Sequence, residues 1–216
     1  MTGSYREGAK RIAALTPAAL SFGAAFGVLA GANGIDATAA TVMSATTFAG
    51  AAQFAAISVL HDGGTVAAAV AAAVLLNARY LAISLAIAPA FDGSRLRRLF
   101  ESQLIVDESW AVSQAGRGRV DKRVLVGAGL VLYPFWVAGT VIGALAGNVL
   151  ADPRALGFDG ALPALFLALL VGQLVDRRAK IAAVMGGAIA LVLIPFTPAG
   201  FPVIAAAVVC LWGLKR

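Results

Sequence analysis

The stretch TVMSATTFAGAAQFAAISVL, running from Thr41 to Leu60, decides the fold class. It carries no charged residue and has about the 20 residues that a helix needs to cross the hydrocarbon core of a bilayer. Gln53 lies within it, and an amide in hydrocarbon is costly unless something hydrogen-bonds it. The neighbouring Gly50 leaves room for that partner, another helix or a solute, to approach.

The rest of the chain has the same character. Of its 216 residues, 60% are hydrophobic and only 13% are charged, and the mean hydropathy is +0.87, far outside the range of soluble domains. The whole chain, residues 1–216, reads as one transmembrane domain, an all-α polytopic membrane protein. A net charge of +6 invites comparison with nucleic-acid binders, but the basic residues sit in short clusters at the ends of apolar runs and form no extended basic face. No nucleic-acid partner is expected. The single cysteine, Cys210, excludes an intrachain disulfide and a metal site of paired cysteines. The polar, basic start from Met1 to Arg11 precedes a long apolar run and predicts a first membrane helix in preference to a cleaved signal.

About seven spans are predicted: Ile12 to Asn33, Ala37 to Leu60, Thr65 to Ala88, Val124 to Leu150, Ala161 to Val175, Ala179 to Pro195 and Phe201 to Leu214. Turn signals such as Asn33-Gly34, Gly63-Gly64 and Asp152-Pro153 separate many of them. Arg177, Arg178, Lys180, Lys215 and Arg216 predict a cytoplasmic C-terminus. The same rule then meets a conflict, because Arg6, Lys10 and Arg11 place the N-terminus inside. Arg117, Arg119, Lys122 and Arg123 place the start of the fourth span inside too, yet three crossings lie between. Either the segment Phe48 to Gln53 is broken or re-entrant, or the semi-polar segment 99–114 makes an extra crossing. Arg95, Arg97 and Arg98 count against the second, since it leaves them outside.

A two-fold internal repeat is suggested by Gly23, Gly27 and Gly31, which match Gly139, Gly143 and Gly147 in register, with Pro17 and Pro134 upstream. Its halves would be residues 12–90 and 124–195. Chance also produces small residues at every fourth position in helices rich in alanine and glycine. A real repeat fits a transporter whose site lies between related halves.

Polar groups inside membrane helices are candidate site residues by default. Thr46, Gly50 and Gln53 fall on one face of the second span at helical spacing, with Thr47 beside them. Gln53 can serve a solute or act as interhelical glue. Asn77, Arg79 and Tyr80 lie deep in the third span. Arg79 can hold a substrate carboxylate through two hydrogen bonds or pair with a carboxylate of the chain. Asp107 and Glu108 supply such a carboxylate, and one of them can carry a proton, because adjacent carboxylates in a low dielectric resist ionising together. Read as an exposed loop pair, they would mean little. His61 reads as interfacial, and Tyr133 and Trp136 read as packing.

With Phe48-Ala49-Gly50-Ala51-Ala52-Gln53-Phe54, Asn77-Ala78-Arg79, Ala88-Pro89 and Asp107-Glu108-Ser109 in this order, the chain resembles the AzlC family, the large subunits of branched-chain amino acid exporters. The match covers roughly residues 5 to 180. Tyr80 stands where the family often has histidine, so no proton role is implied at that position. The resemblance implies secondary transport, by efflux, of L-valine and related neutral amino acids. It also implies a small membrane subunit of the AzlD type. Phe48, Gly50, Gln53, Asn77, Arg79 and Tyr80 are then candidate substrate contacts, and Asp107 and Glu108 candidate coupling or proton-carrying groups. No P-loop is present, so an ion or proton gradient would supply the energy, and no cofactor is expected. Transport of another small neutral solute, or an intramembrane enzyme built on Asp107 and Glu108, are the alternatives. The enzyme is disfavoured by the lack of a recognisable nucleophile and base.

Overall fold

A computed structural model describes residues 3–61, 63–116, 119–146 and 177–197, together with 167, 170, 171, 174, 202, 205 and 206. The expected spans at Ala161 to Val175 and Phe201 to Leu214 therefore lie almost wholly outside the described residues, as do Gly147 and Cys210. The described residues form helices α1 (Tyr5–Ile12), α2 (Thr16–Ala32), α3 (Ala37–Thr47), α4 (Gly50–His61) and α5 (Val66–Asn77). They continue with α6 (Arg79–Ile87), α7 (Arg95–Ser102), α8 (Asp107–Val112), α9 (Lys122–Ala146) and α10 (Arg177–Leu193). Among the described residues, four continuous paths are long and apolar enough to cross a membrane: Tyr5–Ala32, Val66–Ala90, Lys122–Ala146 and Arg177–Phe196. The chain is an all-α, multi-pass membrane protein. On α5 and α6, Val66, Val70, Val74, Leu81 and Leu85 are all more than half exposed, as a lipid-facing stripe requires.

The centre of the molecule is the pair formed by α1–α2 and α9, and glycine spacing makes it. Gly23 lies against the backbone of Trp136 and Thr140, and Gly27 against Thr140 and Ala144. In return, Gly139 lies against Leu20 and Gly143 against Ala24. Further down, Gly8 meets Val124 and Gly127 meets Tyr5. Residue numbers rise together along both partners, so the two helices run parallel. In lipid, where apolar burial drives little association, this backbone-to-backbone approach is a main source of packing energy.

Parallel packing and one broken span together settle the crossing conflict. The starts of the two helices lie at one end of the molecule, so an even number of crossings must separate them. The expected single span from Ala37 to Leu60 is instead a hairpin. Helix α3 ends at Phe48, whose backbone is left-handed at φ 41°, and α4 returns so that His61 Nδ1 lies 3.3 Å from Asn33 Oδ1 at the end of α2. The turn also brings Gln53 Nε2 within 2.9 Å of Ser44 Oγ, nine residues earlier, where a continuous helix would separate them by about 13.5 Å. With 11 and 12 residues, each arm is too short to cross alone. The break also removes the helical register that would put Thr46 on one face with Gly50 and Gln53.

Segment 99–114 likewise forms no continuous crossing helix. It is divided between α7 and α8, which start and finish at the basic end: Lys122 Nζ lies 2.8 Å from Glu101 Oε2 and 2.7 Å from Asp92 Oδ1, and Arg11 Nη1 donates to Val112 O at 2.9 Å. The hydrogen bond from Lys122 holds the Asp92 carboxyl below its usual range. Between α7 and α8 the chain reaches inward far enough for Gln103 Nε2 to donate to Ala45 O at 3.2 Å and Thr46 O at 2.8 Å. The tip of one hairpin, entered from the basic end, thus touches the tip of the other, entered from the Asn33 end.

Side-specific labelling checks this arrangement. In a Cys210→Ala background, cysteines at Thr38 and Val66 are expected to react from the same face of the membrane, and a cysteine at Arg95 from the opposite face. Reaction of the first two from opposite faces would overturn the α3–α4 hairpin.

Candidate substrate site

Three interruptions of helix surround one cavity of about 60 Å³. The first is the Phe48 turn. A left-handed conformation costs a residue with a β-carbon roughly 1–2 kcal/mol, and here it is held by burial of the Phe48 ring, 6% exposed, and by its edge-on contact with Tyr133, centroids 5.1 Å apart. The second is Ala78, between α5 and α6. The third is the turn before α8, where the buried Ser109 Oγ accepts from Val106 N at 2.9 Å and lies 3.0 Å from both Leu104 O and Val106 O.

Each interruption delivers chemistry to the cavity. Phe48, Gly50 and Ala51 come from the first, Arg79 and Tyr80 from the second, and Val106, Asp107 and Glu108 from the third. The Arg79 Nη2 atom donates to Asp107 Oδ2 at 2.7 Å, with about a quarter of each side chain exposed (26% and 21%). The guanidinium carbon also lies 5.2 Å from the centre of the Tyr80 ring, within range of a cation–π attraction. The apolar remainder of the lining comes from Leu15, Ala18, Ala19 and Phe22 on the α1–α2 path and from Leu132 and Trp136 on α9.

Six of the eight residues singled out from the sequence therefore meet at one place. The other two do not line this cavity. Asn77 faces a separate groove between α3, α4 and α5. Gln53 is fully buried, and its amide is used inside the protein: Oε1 accepts from Trp136 Nε1 at 3.1 Å, and Nε2 donates to Ser44 Oγ at 2.9 Å. Trp136, read from the sequence as packing, forms part of the cavity wall. The signal for it was Thr140 one helical turn further on, a second polar group inside an otherwise apolar helix.

Residues 14–150 match the family described as AzlC protein. The chain belongs to the AzlC family. That AzlC match takes in every residue lining the cavity, from Leu15 to Trp136. An uncharacterized membrane protein of Archaeoglobus fulgidus is 38% identical over 171 residues, covering 77% of this chain and 74% of that protein. The branched-chain amino acid transport protein AzlC of Bacillus subtilis is 25% identical over 170 residues, 77% of this chain and 66% of that one. The inner membrane protein YgaZ of Escherichia coli is 27% identical over 225 residues, covering 97% of this chain and 88% of its own length. No solved structure matches the chain.

Proposed function

We propose that this AzlC-family protein is a secondary transporter that exports branched-chain amino acids such as L-valine, together with a small membrane subunit of the AzlD type. The observation that carries the reading is the Arg79–Asp107 pair on a cavity whose walls from α2 and α9 are apolar. A zwitterionic amino acid needs a cation for its carboxylate, an acceptor for its ammonium and an apolar space for an aliphatic side chain. Arg79 and Asp107 supply the first two in one place, and binding exchanges their mutual hydrogen bond for one to each end of the substrate. Gly50 and Ala51 bring the start of α4 to the same cavity, and the free N–H groups of a helix N-terminus favour a negative charge. Glu108, next to Asp107 on the lining, is the group we assign to proton coupling. The name of the Bacillus subtilis relative supports the substrate class.

Helix interruptions that face each other from opposite ends of the molecule suit alternating access, since each hairpin can part from the other without disturbing the α2–α9 pair. The test is in cells challenged with a valine-containing dipeptide. Deleting the gene for this chain together with that for its small subunit is expected to raise intracellular valine several-fold, and unchanged levels would overturn the reading.

A further inference from the structure

We propose that Trp136 sets the upper size limit on the substrate side chain, with Gln53 and Gly50 as the positioning residues that hold its indole in place. This rests on reading the cavity as an amino acid site. With the charged groups of the substrate at Arg79 and Asp107, its side chain is left with the apolar lining, where Trp136 is the largest residue.

What distinguishes Trp136 from the other apolar walls is that it cannot yield. An indole N–H only donates, so Gln53 must present its oxygen to Trp136 and its NH₂ to Ser44. Thr140 Oγ1 lies 3.1 Å from the Trp136 carbonyl and gives its one proton there. Ser44 Oγ, 2.7 Å from Thr140 Oγ1, must then be the donor in that pair. The four groups close a ring of hydrogen bonds that leaves from the indole and returns to the backbone of the same residue. Ser44, Gln53 and Thr140 are all 0% exposed, so the ring is shielded from competing water.

Gly50 limits the indole from a second direction. A β-carbon built there would lie 2.7 Å from Trp136 Cη2 and 3.2 to 3.3 Å from Cζ3 and Cζ2. The ring therefore rests on bare backbone and cannot move towards α4. Rotating it away would break its bond to a buried amide and leave that amide oxygen without a donor. A rigid wall rejects an oversized group, whereas a wall that repacks admits it.

The two residues predict shifts of opposite sign. In inside-out membrane vesicles from cells producing the full chain together with its small membrane subunit, uptake of labelled valine is competed with alanine, leucine and phenylalanine. Trp136→Ala is expected to improve phenylalanine relative to valine by about tenfold or more, on the scale of a group gained or lost in an apolar pocket. Gly50→Ala pushes the indole into the cavity and is expected to weaken leucine relative to alanine by a similar factor. Gln53→Leu releases the indole and should shift the profile in the direction of Trp136→Ala. Gln53→Glu, protonated in its buried site, keeps both an acceptor and a donor and should retain the wild-type profile.

A gain of phenylalanine competition cannot come from misfolding, and Trp136→Phe offers the same test with a smaller change of volume. Wild-type vesicles that take up valine, with variants that keep an unaltered size profile, would overturn the proposal for Trp136 alone. Wild-type vesicles that take up none of the four amino acids overturn the amino acid reading itself, and this inference with it.

Discussion

Arg79→Ala is expected to reduce transport by at least about a hundredfold while leaving a folded but less stable protein. Truncating one member of a desolvated, hydrogen-bonded charge pair typically costs about 2–5 kcal/mol, and here the loss falls on the substrate carboxylate as well as on Asp107. Stability and transport should separate in the double variant. With Arg79 gone, the Asp107 carboxylate is left without its counter-charge in a site only 21% exposed, and that uncompensated group is the main source of instability. Arg79→Ala with Asp107→Ala removes that charge and should recover much of the thermal stability without recovering transport. Arg79→Lys keeps the charge but lacks the planar fork that grips a carboxylate through two parallel hydrogen bonds, so it should fold well and transport poorly. Retention of more than about a tenth of wild-type uptake by Arg79→Ala would remove the residue from the site.

The class of fold and the polar part of the cavity lining were legible in the sequence because each rests on a single chemical contrast: long apolar runs mark the membrane, and Arg79, Tyr80, Asp107 and Glu108 stand out against them. Arg79 and Asp107 were both visible, but whether a deep guanidinium serves a substrate or a carboxylate of the chain is a question of distance that spacing does not answer. The α3–α4 hairpin was not legible as such. Two half-length helices joined at Phe48 have the same hydropathy as one full-length helix, and the left-handed residue is a phenylalanine, not the glycine that would have marked it. The conflict among the basic residues showed that either Phe48 to Gln53 was broken or segment 99–114 added a crossing, and the left-handed Phe48 with the return of His61 to Asn33 identified which. Gln53 was the most conspicuous polar residue of the opening stretch, and its partners are Ser44, on the other side of that turn, and Trp136, on α9. A pattern confined to one helix cannot reveal them.

The glycines of the first and fourth spans permit a sharper experiment, because identical substitutions within one motif should have opposite effects. Gly31 has nothing within 4 Å of where its β-carbon would stand. Gly31→Ala is therefore expected to be neutral or to stabilise by about 0.5–1 kcal/mol, the usual gain in a helix interior. Gly27 and Gly143 face the backbone of the opposite helix, Gly27 at Thr140 and Ala144 and Gly143 at Ala24. A carbonyl on a helix cannot rotate aside as a side chain can, so a methyl group at either position forces the axes apart. Gly27→Ala and Gly143→Ala should each destabilise by about 1–3 kcal/mol, and Gly143→Leu should prevent accumulation of folded protein. Transport should fall with stability, because Phe22 on α2 and Trp136 on α9 wall the same cavity and separate as the helices do. Thermal unfolding of the purified single variants checks the ranking. If Gly143→Ala melted with Gly31→Ala, the close parallel approach of α2 and α9 would be wrong, and the even number of crossings deduced from it would lose its support.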